Sequence, residues 1–271
     1  MRKLLETALL FALAVLAASP ALAQVEAFKY DAARVPVGKV YHYLKTNVDG
    51  TIPEHVSIRV AGPNRIESYK FHPGEPPAAL VIADMDWAAF SVRSIESLHL
   101  LADGSRKTMA TLTALDGGKR VKVDLPMLGK PPDTVEIGRI PWHIYNFDLA
   151  SLAFAMPHLV DPKGRFTIGI ADPNFGEGPV FLYRGEAEVA YVGEETRAGV
   201  LCRKYRIDGP ALRNRGGFLW INHAEGHVED IEIDLPDNPN WKSFKLKLTG
   251  VESMGQAAWE RFQKAKLQPA G

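Results

Sequence analysis

Alternation with a period of two runs through most of this chain. In HVSIRV the apolar Val56, Ile58 and Val60 alternate with Ser57 and Arg59, and in VKVDL Val121, Val123 and Leu125 alternate with Lys122 and Asp124. DIEIDL, with Ile231, Ile233 and Leu235, and FKLKL, with Phe244, Leu246 and Leu248, repeat the pattern. Each segment offers one apolar and one charged face, the signature of antiparallel sheet packed on one side and wet on the other. NVDGT, AGPN, LADGS and LDGGK lie between such runs and supply residues that tolerate φ > 0, as tight hairpin connections require. The runs amount to about a dozen strands joined as a meander. No fixed-period repeat supports a propeller or a solenoid.

One apolar block breaks the alternation. In NFDLASLAFAMPHL, from Asn146 to Leu159, Leu149, Leu152, Ala153 and Met156 recur at helical spacing, while Phe154 and Ala155 extend the apolar surface around the cylinder. Asp148 stands where a side-chain oxygen can cap the first free amides, and Pro157 stops the helix. A helix apolar nearly all round is enclosed. The expected fold is therefore mainly β: a large curved antiparallel meander, half-barrel or barrel, around one central helix. GQAAWERFQKAK, with Trp259 and Phe262 three apart, predicts a short C-terminal helix packed across one end of the sheet. HPGEPPA and LPDNPNW read as long hairpin loops. MLGKPPDT (127–134) is the best place for a sub-domain junction inside what otherwise reads as a single domain over residues 24–271.

The first residues read as an address. Arg2 and Lys3, the apolar LLETALLFALAVLAA and the small-residue ALA ending at Ala23 form a secretory signal peptide over residues 1–23, too short in its apolar run to span a bilayer. Removing it takes away Arg2, Lys3 and Glu6 and leaves 30 basic and 31 acidic residues. That balance carries no footprint for nucleic acid or an anionic membrane surface, so neither nucleic-acid binding nor stable membrane insertion after cleavage is expected. Cys202 is the only cysteine, which excludes an internal disulfide, and its place in the strand-like GVLCRKYRI marks it as a buried structural thiol.

Candidate chemistry is sparse. HAEGH places His223 and His227 around Glu225 and Gly226, but the order is not that of a zincin, and the flanking strands make it a hairpin tip; a polar turn is expected, with no metal. Trp142, His143, Tyr145 and Phe147 form an aromatic cluster beside the helix that could rim a ligand mouth or close the core edge. Asp84 and Asp86 in ADMDW would face one side of a strand, yet a glycosidase pair cannot be chosen by sequence spacing. There is no Gly-x-Ser-x-Gly string, and NRGGF leads into a strand rather than a phosphate-binding helix. No catalytic residue and no cofactor are assigned.

The order FDLASLAFAMPHL, GRFTIGI, VAYVGEETRAGVLCRKYRIDG and GGFLWINHAEGHVEDIEIDLP, over residues 145–236, resembles an uncharacterised bacterial family of exported proteins. That family is similar in architecture to the periplasmic lipoprotein-localisation carriers, whose curved half-barrel closes over helices to bind acyl chains. The resemblance transfers no catalytic residue. Together with the enclosed helix it leads to the expectation of a periplasmic, non-enzymatic protein that binds or carries an apolar or amphipathic molecule such as a lipid. Leu152, Phe154 and Met156 would line the site, with Trp142 at its mouth. A scaffold of the envelope with a filled barrel, and a carboxylate-dependent hydrolase of an envelope polymer, are the alternatives.

Overall fold

The computed structural model describes residues 27–268; the signal peptide read at residues 1–23 lies outside them. Fifteen strands form one sheet. The first eight are β1 (Lys39–Thr46), β2 (Glu54–Gly62), β3 (Arg65–His72), β4 (Glu75–Asp86), β5 (Ser91–Leu100), β6 (Arg106–Leu115), β7 (Arg120–Asp124) and β8 (Asp133–Glu136). The remainder are β9 (Trp142–Ile144), β10 (Arg165–Pro173), β11 (Phe181–Arg197), β12 (Val200–Asp208), β13 (Gly217–Asn222), β14 (Val228–Ile233) and β15 (Phe244–Ser253). From β8 the order runs back through consecutive hairpins to β1, crosses to β15, and runs back again to β9. Two meanders are thus joined through the β1–β15 pair, Lys39 opposite Ser253 and Tyr43 opposite Leu248. Every neighbouring pair is antiparallel except β9 with β10, where Trp142–Ile144 runs parallel to Gly169–Ala171.

The sheet curves strongly but does not close, since β8 and β9 remain its two edges. The margins nonetheless approach: a Cβ added to Gly138, just beyond β8, would lie 2.9 Å from the Tyr183 ring of β11, and one on Gly169 of β10 would lie 3.0 Å from the same ring. Glycine also explains NRGGF. A Cβ on Gly217 would sit 1.9 Å from the Glu232 carbonyl oxygen, so β13 can lie against β14 only without a side chain there.

The predicted turns close tight hairpins. HPGEPPA is one of them rather than a long loop: His72 pairs with Glu75 across Pro73 and Gly74, and the prolines begin β4. MLGKPPDT joins β7 to β8, which pair with each other in the same sheet. A β-bulge at Arg93 of β5 lies opposite Asp84 and Met85, while β4 keeps its alternation: Ala83 and Met85 are buried, and Asp84 and Asp86 share the half-exposed face.

The concave face holds the main core, and α1 (Ala150–Ala155), followed by a tight turn at Met156–His158, lies within it. Leu149, Leu152, Ala155 and Met156 are each 4% exposed or less, as expected of a helix apolar around most of its circumference. The expected cap is absent. Leu149, at φ 53°, precedes the helix with no side-chain cap, because the Asp148 carboxylate is drawn to two lysines instead. On the convex face a smaller core forms where Tyr69, Phe71, Leu80 and Leu98 point outward. There α2 (Gln256–Leu267) covers the face of the sheet with Trp259 and Phe262, and Tyr69 donates its hydroxyl to the Gln263 carbonyl at 3.0 Å.

Candidate functional site

Between α1 and the inner face of the sheet lies a cavity of about 610 Å³. Its apolar wall comes from Ile58, Val60 and Ile66 on one side and Ile221 and Val228 on the other, with Ala153, Phe154 and Met156 along the helix. Its mouth is lined by Arg34, Lys39, Tyr41 and Arg203 and by the turn from His223 to His227. Two segments that carry no alternation build this mouth.

The first is the stretch before β1, which lies across the end of the helix. Lys29 donates its amide to the His158 carbonyl at 2.8 Å, Val160 returns one to the Ala27 carbonyl at 3.0 Å, and Arg34 Nη1 donates to the Pro157 carbonyl at 2.7 Å. The Asp31 amide donates to His158 Nδ1 at 3.2 Å, which requires a neutral ring. Burial, and then the Arg34 charge, push the His158 imidazole down to about 4, so it is neutral at physiological pH. Tyr30 stacks on Trp87 with ring centroids 4.9 Å apart, fastening the segment to the sheet.

The second is the turn HAEGH. The Asn222 side-chain oxygen accepts from the Ala224 amide at 3.0 Å and the Glu225 amide at 2.9 Å, folding the tip. Gly226, at φ 78°, lets the turn approach the helix terminus: a Cβ there would lie 3.4 Å from Pro157. His227 is buried against Glu229, its Nε2 at 2.9 Å, and packs 5.1 Å from the Tyr41 ring, whose hydroxyl burial and then the Glu225 charge push up to about 12. His223 faces a different carboxylate, Glu194, at 3.3 Å. The two histidines therefore do not converge, and among the described residues no three ligand-type side chains could share a metal ion.

The residues expected to form the site fall in three places. Phe154 and Met156 line the cavity. Leu152, one helical turn before Met156, faces a narrow gap closed by Leu219 and Ile231. Trp142 is fully buried elsewhere, near Gly118 and Ile140, with its backbone amide donated to Ser91 Oγ at 2.8 Å; it does not line the cavity. Tyr145, Phe147 and His143 are buried with it, and the His143 imidazole, hydrogen-bonded to Ser151 Oγ at 2.9 Å, is pushed by burial down to about 3. Cys202 is buried, and burial raises its thiol pKa, in keeping with a structural role.

At the other end of β1 the sheet encloses an ion cluster. Lys45, fully buried, donates to Asp148 at 2.8 Å and to Asp237, and Lys70 reaches the second Asp148 oxygen at 2.7 Å. Burial alone would lower the Lys45 pKa, but the two carboxylates hold it raised. Burial likewise opposes ionisation of Asp148, yet Lys45 and Lys70 keep its pKa lowered, while for Asp237 burial prevails and the pKa is raised. Outside the cluster an open cavity of about 500 Å³ is lined by the two lysines, Asn146, Asn238 and Trp241. Asp148 and Asp237 do not line it.

No family model matches the chain, and no curated protein matches it. Solved structures of similar course include lipoprotein LppX of Mycobacterium tuberculosis, at 14% identity and TM-score 0.23, matching 85% of this chain and 93% of that one. A domain assigned to outer membrane lipoprotein sorting from Vibrio parahaemolyticus matches at 8% identity and TM-score 0.24, covering 86% and 94%. A DUF1329 family protein from Desulfovibrio piger matches at 8% identity and TM-score 0.25, covering 86% and 93%. At TM-scores this low these likenesses carry no conclusion about this chain. Among the described residues no helix is long and apolar enough to cross a membrane.

Proposed function

We propose that the protein binds and carries an apolar or amphipathic molecule on the periplasmic side of the cell envelope, without acting chemically on it. The observation that supports this reading is the cavity beside α1. At about 610 Å³ it falls within the range of about 300–1,000 Å³ typical of small-molecule sites, and its lining combines apolar side chains such as Ile58, Val60, Phe154 and Met156 with a few cations and tyrosines. A space of that size holds roughly 20 groups of the volume of a water molecule, enough for one long acyl chain. Transfer of each methylene from water to such a wall contributes about 0.8 kcal/mol, so every methylene removed from a chain that fits should weaken binding about fourfold.

Filling the cavity tests the reading. Ala153 lines it from the helix and is only partly covered, so Ala153→Phe places a ring in the space without displacing core atoms. Uptake of Nile red by the purified protein should fall at least about tenfold in the variant, with melting temperature unchanged or raised. Equal uptake by both proteins would overturn the proposal.

A further inference from the structure

Lys39 and Arg203 occupy positions where the alternation of their strands calls for apolar residues. Lys39 stands on the same face of β1 as Tyr41 and Tyr43, and Arg203 on the same face of β12 as Tyr205 and Ile207; all four of those neighbours are buried in the concave core. A cation on the inner face of a sheet is normally matched by a carboxylate. Among the described residues neither makes a salt bridge within 4.0 Å, although Glu194 stands opposite Arg203 across the β11–β12 ladder and Lys39 is open to solvent. Of the carboxylates around the mouth, Glu229 is hydrogen-bonded to His227 Nε2 at 2.9 Å, while Glu225 and Glu194 lie 3.5 Å and 3.3 Å from His227 and His223. Arg34, the third cation of the rim, is engaged by Asp31 at 3.4 Å and by the Pro157 carbonyl. Two cations free of any salt bridge, Lys39 and Arg203, therefore line the same cavity as Phe154 and Met156.

We propose that the occupant's polar end is anionic, a single carboxylate or phosphate held by Lys39 and Arg203 while its one chain lies along Phe154 and Met156. This rests on the reading of the cavity as a binding site and adds what that site selects. Arg203 offers a planar fork suited to either oxyanion, and Lys39 a mobile point charge. The volume admits one chain with its head group and excludes a two-chain lipid from lying wholly inside.

The test uses purified, delipidated protein and three probes sharing one sixteen-carbon chain: palmitate, 1-palmitoyl lysophosphatidylglycerol and the neutral 1-monopalmitoylglycerol. Dissociation constants are measured by displacement of Nile red at low and at high salt. At least one anionic probe should bind about tenfold or more tightly than the neutral one, with the preference shrinking in high salt. In Lys39→Gln/Arg203→Gln that ratio should fall to about one. Whichever anionic probe binds more tightly identifies a free acid or a phospholipid head group as the source. Equal binding of all three probes, or a preference that survives the double substitution, overturns the head-group assignment and leaves the cavity reading standing. Absence of binding by all three, the neutral one included, overturns both.

Discussion

Substituting Lys45 by Met should be among the most damaging single changes in this protein. The ammonium sits at 1% side-chain exposure between Asp148 and Asp237, both at 0%, and the methionine would leave the two carboxylates with Lys70 alone. Breaking a buried ion pair from one side costs about 3–5 kcal/mol, because the orphaned charge keeps its desolvation cost and loses its attraction. For a domain of this size that corresponds to a fall in melting temperature of about 6–20 °C. The loss should depend on pH. Burial already holds the Asp237 pKa raised, and losing Lys45 shifts both carboxylates upward, so the folded variant binds more protons than folded wild type. Relative to wild type, stability is then lost as pH rises from about 4 through the raised folded values, and the deficit should be larger at pH 7 than at pH 5. Adding Asp148→Asn and Asp237→Asn to the same protein removes the orphaned charges and should restore much of the loss. Thermal and urea unfolding at both pH values measure all of this. A Lys45→Met protein melting within about 2 °C of wild type at pH 7 would refute the reasoning, since the cluster would then not be buried as described.

Two further outcomes follow from the core. His143, neutral and enclosed with its pKa near 3, takes up a proton more readily when unfolded, so stability it supports at pH 7 declines as pH falls below about 6.5. By pH 5 this amounts to about 2 kcal/mol, and His143→Leu should remove that part of the decline; parallel pH profiles for the two proteins would contradict it. Gly217→Ala should cost about 3 kcal/mol through its collision with the Glu232 carbonyl, read as a lowered urea midpoint, and an unchanged midpoint would mean that β13 and β14 are not so closely apposed.

How much of this could be read from the chain follows from the range of each interaction. Strand alternation and turn residues are local, so the meander and the enclosed helix were visible in HVSIRV, VKVDL and LASLAFAM. The ion cluster was not. Asp148 looked like a helix cap because its neighbours in sequence are amides, whereas its partner Lys45 lies 103 residues away. A lysine at an inward strand position, flanked by the alternation of KVYHYLKT, was the available signal. Trp142 looked like a rim residue for a similar reason: the groups that cover it, Gly118 among them, come from distant hairpins. HAEGH forms the polar turn that its flanking strands predict, but its place at the cavity mouth depends on contact with Pro157, which no local pattern reveals. The same holds for the segment from Ala27 to Arg34, whose backbone pairs with the helix terminus more than a hundred residues further on.

The cavity beside α1 can be tested on the protein as its host makes it. Native mass spectrometry of wild type and Ala153→Phe, purified without detergent, should find wild type carrying a single amphipathic adduct that is released on unfolding, and the variant without it. Two bare masses, together with no uptake of palmitate or 1-monopalmitoylglycerol by wild type, would contradict the account.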